Sequence, residues 1–73
     1  MNEDIDEIKK KLDLAFSYIQ NHNHSEAIKI YESILQENDN NFEANSNLGM
    51  LYAQFNNLET SEKYLNKAIE IDP

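Results

Sequence analysis

The sequence predicts an all-α fold, and three observations carry that prediction. Glycine and proline occur once each in 73 residues, and the proline is terminal, so the turn chemistry of a β-sandwich or barrel is missing. Apolar residues recur at spacings of three and four, the period of one helix face. The chain also resembles itself at a shift of 34 residues, and each half reads as helix, short polar break, helix.

The first helix is expected from about Glu3 to Asn21, with Ile5, Ile8, Leu12, Ala15 and Ile19 on one stripe and Leu14 and Tyr18 on a second. Asn21-His22-Asn23-His24-Ser25 is the first break, and Asn23 or Ser25 can cap the next helix. The second helix, near Glu26 to Glu37, sets Ala27, Ile30, Tyr31, Ile34 and Leu35 on one wide face. Glu37 to Asn41 is the second break, where Asn40 with Glu43 resembles a capping box. The third helix, near Phe42 to Phe55, is expected to bury Ala44, Leu48, Leu51, Tyr52 and Phe55. The fourth, near Leu58 to Ile71, is expected to bury Leu58, Ser61, Leu65, Ala68 and Ile69. Breaks this short make the helices antiparallel neighbours. The organisation is therefore an acidic extension of the first helix (1–7), one unit at 8–41 and a second at 42–73.

Strict identity between the units is limited to Leu14/Leu48, Tyr18/Tyr52, Gln20/Gln54, Asn23/Asn57 and Lys29/Lys63. Size or polarity is kept more widely, as at Ala15/Gly49, Phe16/Met50, Ala27/Ser61, Tyr31/Leu65 and Leu35/Ile69. The second unit reads Asn45-x₂-Leu48-Gly49-x₂-Tyr52, then Ser61-x₃-Leu65, Ala68 and Pro73. The first reads Lys11-x₂-Leu14-Ala15-x₂-Tyr18, then Ala27-x₃-Tyr31, Ile34 and Asp39. Over residues 8–73 this resembles the tetratricopeptide repeat, whose pattern is W-x₂-L-G-x₂-Y…A-x₃-F…P. The Trp place is polar in both units, Asp39 replaces the usual Pro, and Ser61 and Ile34 replace the small Ala. The resemblance implies an α-solenoid of tandem helix-turn-helix repeats and a protein-protein interaction module.

In that family the first helix of each unit lines a concave groove that takes extended peptides or helices. Carried onto this register, the groove presents Lys9, Leu12, Asp13, Phe16, Ile19 and Gln20, then Glu43, Ser46, Asn47, Met50, Ala53 and Gln54. Leu12, Phe16, Ile19 and Met50 make its floor apolar, which suits an apolar or amphipathic helical ligand. The plain alternative is that these residues are core, covered by another part of the protein or by a second copy. One branch of the family grips acidic chain ends with several Lys, Arg and Asn. Only Asn47, and loosely Lys9, match here, while Asp13 and Glu43 would repel such a tail.

Charge narrows the partners further. Fourteen acids against six basic residues, all lysine, give a net charge of −8. Nucleic acid and anionic membrane surfaces both demand clustered cations and are poor partners. Lys9-Lys10-Lys11 follows Asp6 and Glu7, so Asp6/Lys10 and Glu7/Lys11 are expected as i,i+4 pairs on a solvated helix start. The longest apolar run, Leu48 to Ala53, is far short of the ~18 residues of a membrane span. No secretory leader pattern opens the chain, and cytoplasm is the default expectation.

The sequence contains no cysteine and no glycine-rich phosphate loop, and no serine sits beside a base in a known motif. Catalysis is not expected, and neither a cofactor nor a metal is called for. His22-Asn23-His24 is the one cluster of metal-ligating type, and without a placed third ligand it reads as exposed turn histidines. A chain this short buries only roughly 60% of its unfolded surface, and solenoids generally need caps or neighbours. Without a capping helix after Asp72-Pro73, the end of the second unit would expose Tyr64, Ile69 and Ile71. Two outcomes are expected there: further repeats continue the array, or copies of the chain cover the end as a homo-oligomer such as a dimer.

Overall fold

The computed structural model describes residues 3–73, with side chains from Asp6 onward. Four helices follow in order: α1 (Glu3–Gln20), α2 (His24–Glu37), α3 (Phe42–Gln54) and α4 (Leu58–Ile71). Ile5, Glu3 and Asp4, which the sequence assigns to the stripe and the acidic start of α1, lie outside the described side chains. The last helix has the bounds its periodicity predicts. The second begins two residues early, at His24, because Asn23 rather than Ser25 is its N-cap.

The short turns repeat as faithfully as the helices. After α1, the Asn23 N–H donates to the Tyr18 carbonyl at 2.8 Å and the His22 N–H to that of Ile19 at 3.0 Å. After α3, Asn57 and Asn56 donate in the same way to Tyr52 at 2.9 Å and Ala53 at 3.0 Å. This is the Schellman pattern, which satisfies orphan carbonyls at a helix end and needs one residue in the left-handed region. His22 and Asn56 take that conformation, both at φ 63°. The asparagine that ends each motif also opens the next helix, so only residues 21–23 and 55–57 separate the two helices of each unit.

The longer α2–α3 connection is held by side chains. Asn41 caps α3, its side-chain oxygen accepting from the Ala44 N–H at 2.8 Å. The cap is thus one residue later than the expected Asn40, whose own N–H is taken up by the Asn38 side chain at 3.1 Å. Asn45, at the position where the family pattern has Trp, is buried. Its amide donates to the Asp39 and Asn41 carbonyls at 3.1 and 2.9 Å. Lys11 holds the same place in the first unit. It pairs with Glu37 at the far end of α2 at 2.8 Å, rather than with Glu7 on its own helix. Lys11 thus ties the middle of α1 to the last residue of α2, whereas Asn45 ties the start of α3 to the connection that precedes it.

The helices pack in sequence, α1 on α2, α2 on α3 and α3 on α4. Ala15, Ala27 and Ala44 allow close approach, and Tyr31, Ile34, Leu48 and Leu51 fill the space between them. Phe55, Leu58, Leu65 and Ile69, expected in the core, are exposed. Phe55 lies just past α3 and Leu58 opens α4, both outside the packed stretch. Leu65 and Ile69 lie on α4, which packs chiefly on α3, whereas α2 is flanked on both sides.

Gly49 marks the closest approach of α3 and α4. A Cβ added there would stand 2.5 Å from Leu65 Cγ and Cδ2. The buried Ser61 hydroxyl also donates to the Gly49 carbonyl at 2.7 Å, fixing the same crossing. Gly49→Ala should gain about 1 kcal/mol in helix propensity and lose about 1–3 kcal/mol to overpacking, a net destabilisation. Urea unfolding of Gly49→Ala and of Gly49→Ala/Leu65→Ala checks this, and the double variant should recover part of the loss.

Candidate partner-binding surfaces

The residues expected to line a groove fall at the same spacing on α1 and α3, so each set occupies one helix face. Phe16 and Met50, equivalent residues of the two units, project from those faces at 51% and 53% exposure. Leu12 and Ile19 are half-buried against the core instead, so the apolar floor is narrower than its sequence suggested. Lys9, Asp13, Gln20, Glu43, Ala53 and Gln54 are exposed, and Ser46 returns its hydroxyl to the Glu43 carbonyl at 3.2 Å. Asn47 is half-buried and its amide donates to the Tyr31 hydroxyl at 3.0 Å. That bond anchors the groove wall to the core and commits one of the amide's donors.

A second concavity, which sequence reasoning missed, lies between α2 and α4. Leu35, Asp39, Asn45, Thr60, Lys63, Tyr64 and Lys67 line a cleft of about 430 Å³. Lys63 and Lys67 are the only cations after Lys29, one turn apart on either side of Tyr64, and that spacing was the available signal. Tyr64, expected at a free end, is half-buried and stacks on Tyr52 with ring centroids 5.8 Å apart. Ile69 is exposed, and Ile71 is half-buried.

The tyrosines beside this cleft titrate late. The Tyr52 hydroxyl donates to the Glu32 carboxylate at 2.9 Å. Burial first, then that bond and the Glu32 charge, push Tyr52 from 10.0 up to about 12. Burial and the same carboxylate raise Tyr64 as well. Folded pKa values above the unfolded value mean stability that is complete below pH 10 and lost as pH rises toward about 12. Alkaline unfolding followed with tyrosinate absorbance should show this loss. Glu32→Gln should make it shallower and return the Tyr52 titration toward 10.0.

His22 and His24 meet edge to face at 6.2 Å, and His24 meets Phe55 likewise at 5.9 Å. Among the described residues no group of three or more His, Asp or Glu could hold a metal ion. No helix among them is long and apolar enough to cross a membrane.

A family profile described as tetratricopeptide repeat matches residues 11–73. No curated protein and no solved structure matches the chain. The match spans both helix pairs and nearly the whole sequence. The chain belongs to the tetratricopeptide repeat family, whose members generally serve as protein-protein interaction modules and are typically non-catalytic.

Proposed function

We propose that this chain is a protein-interaction module that takes an apolar or amphipathic helix or peptide along the faces of α1 and α3. The observation that carries this reading is the paired exposure of Phe16 and Met50, large apolar side chains at equivalent places in two units. Anchors one repeat apart suit a ligand that offers apolar side chains on one face. Lys9, Asp13, Glu43 and Gln54 border them and supply polar contacts at the rim.

The mixed charge of that rim favours a ligand of low net charge, and the overall −8 disfavours an acidic one. A displayed library of random peptides panned against the chain should select apolar or amphipathic sequences. Phe16→Glu and Met50→Glu should lose them while keeping their helicity. Capture that persists in both variants would remove the groove as the site.

A further inference from the structure

The two units share one plan, so residues 34 positions apart should be buried alike, and a mismatch marks a neighbour that only one of them has. Leu48 on α3 is 0% exposed, whereas its equivalent on α1, Leu14, is 50% exposed. Tyr31 on α2 is 0% exposed, whereas Leu65 on α4 is 37% exposed. Ile69 reaches 61% where its equivalent Leu35 is packed against the core. The covered members, Leu48, Tyr31 and Leu35, all lie on α2 and α3, the two helices that join the units. Helix α1 therefore carries the α3 side of that joint uncovered, and α4 carries the α2 side uncovered.

We propose that α1 of a second copy of this chain packs on α4 as α3 packs on α2, so that copies add head to tail. The joint inside the chain is the template for the occupant. Its polar link from the Tyr52 hydroxyl to Glu32 is rebuilt with Tyr18 as donor and the Asn66 side-chain carbonyl as acceptor. Bulk is redistributed across the joint, since Lys10 stands where α3 has the buried Ala44, and Ala68 where α2 has the buried Ile34.

Charge bears on the joint as well. The last turn of α4 has no basic residue, Glu70 and Asp72 lie at that end, and a helix C-terminus is itself electronegative. Lys9 and Lys10 are brought to that end by the register and can pair with Glu70 and Asp72, while the exposed Asp6 and Glu7 stand within a turn of them. Because the two surfaces differ, the contact is heterologous, and a pair of copies leaves one surface of each kind free for further addition. Leu14 lies about 200° round α1 from Phe16, so this joint and the groove fail independently.

Sedimentation velocity of the 73-residue chain, from micromolar to millimolar, tests the proposal. The mass should grow with concentration and pass the dimer without a plateau. Leu14→Lys and Ile69→Lys should each weaken association about tenfold to a hundredfold. Mixed one to one, they should form a heterodimer that grows no further, since each supplies the end the other lacks. Both positions are exposed, so helicity should survive. The uncharged Leu14→Gln and Ile69→Gln should give the same pattern should a lysine variant unfold. A monomer at every concentration overturns the proposal. So does a closed dimer that the Ile69 variants break and the Leu14 variants leave intact, which would be α4 pairing with itself.

Discussion

Tyr31→Ala is expected to leave the chain largely unfolded at room temperature. Tyr31 is a large, fully buried side chain in the core cluster, and α2, which carries it, packs on both α1 and α3. Truncating a buried aromatic to alanine costs about 3–5 kcal/mol, because the cavity collapses only in part. A chain of this size without disulfide or metal rarely holds more than about 3–5 kcal/mol in all. One substitution therefore removes most of the margin. Tyr31→Phe separates the ring from its hydroxyl. It forfeits only the bond from the Asn47 amide at 3.0 Å, worth about 1 kcal/mol, and Asn47 is exposed enough for water to replace the partner. Urea titrations of helical circular dichroism should find Tyr31→Phe folded with a lower midpoint and Tyr31→Ala without a native baseline.

Peptide capture should fall by about a hundredfold or more in Phe16→Glu and in Met50→Glu. Fully burying a Phe or Met side chain is worth about 1.5–3 kcal/mol, and half of each remains to be buried by a ligand. Truncation to alanine should therefore weaken binding only about tenfold. Glutamate adds a second effect, a carboxylate pressed against apolar surface with no partner, which costs several kcal/mol more unless the ligand withdraws. Both side chains are about half exposed, so stability should change by only about 0.5–1 kcal/mol. Binding measured by fluorescence anisotropy beside thermal unfolding separates loss of contact from loss of fold.

How much of this was legible in the sequence depends on how local the controlling physics is. Helix bounds follow from periodicity and from asparagines at helix ends, which is why Leu58–Ile71 matched and Asn57 caps as its chemistry suggests. The exchange of Asn40 for Asn41 is a one-residue ambiguity within a run of four side chains, Asn38 to Asn41, that could all cap. Burial was read well on α2, which has a helix on each side, and poorly on α4, where Leu65 and Ile69 show the right period without a second neighbour. Periodicity reports a face and cannot say what covers it. The expected Glu7/Lys11 pair gave way to Lys11–Glu37 because folding brings the end of α2 beside the middle of α1.

For the candidate site, the family register gave both helix faces and the Phe16/Met50 pair. It could not show that Leu12 and Ile19 turn toward the core or that Asn47 is tied to Tyr31. Nor could it show the α2–α4 cleft, whose walls lie far apart in the chain. That leaves two concavities of different chemistry, one apolar with a mixed rim, the other flanked by Lys63 and Lys67.

Nuclear magnetic resonance titration of the isotope-labelled chain with a library-selected peptide distinguishes them most directly. Binding along α1 and α3 predicts shifts concentrated at Phe16, Ala53 and the Met50 methyl, with Leu35, Tyr64 and Lys67 unmoved. Shifts confined to Leu35, Thr60, Tyr64 and Lys67, with Phe16 and Met50 unmoved, would contradict the groove and place the ligand in the cleft.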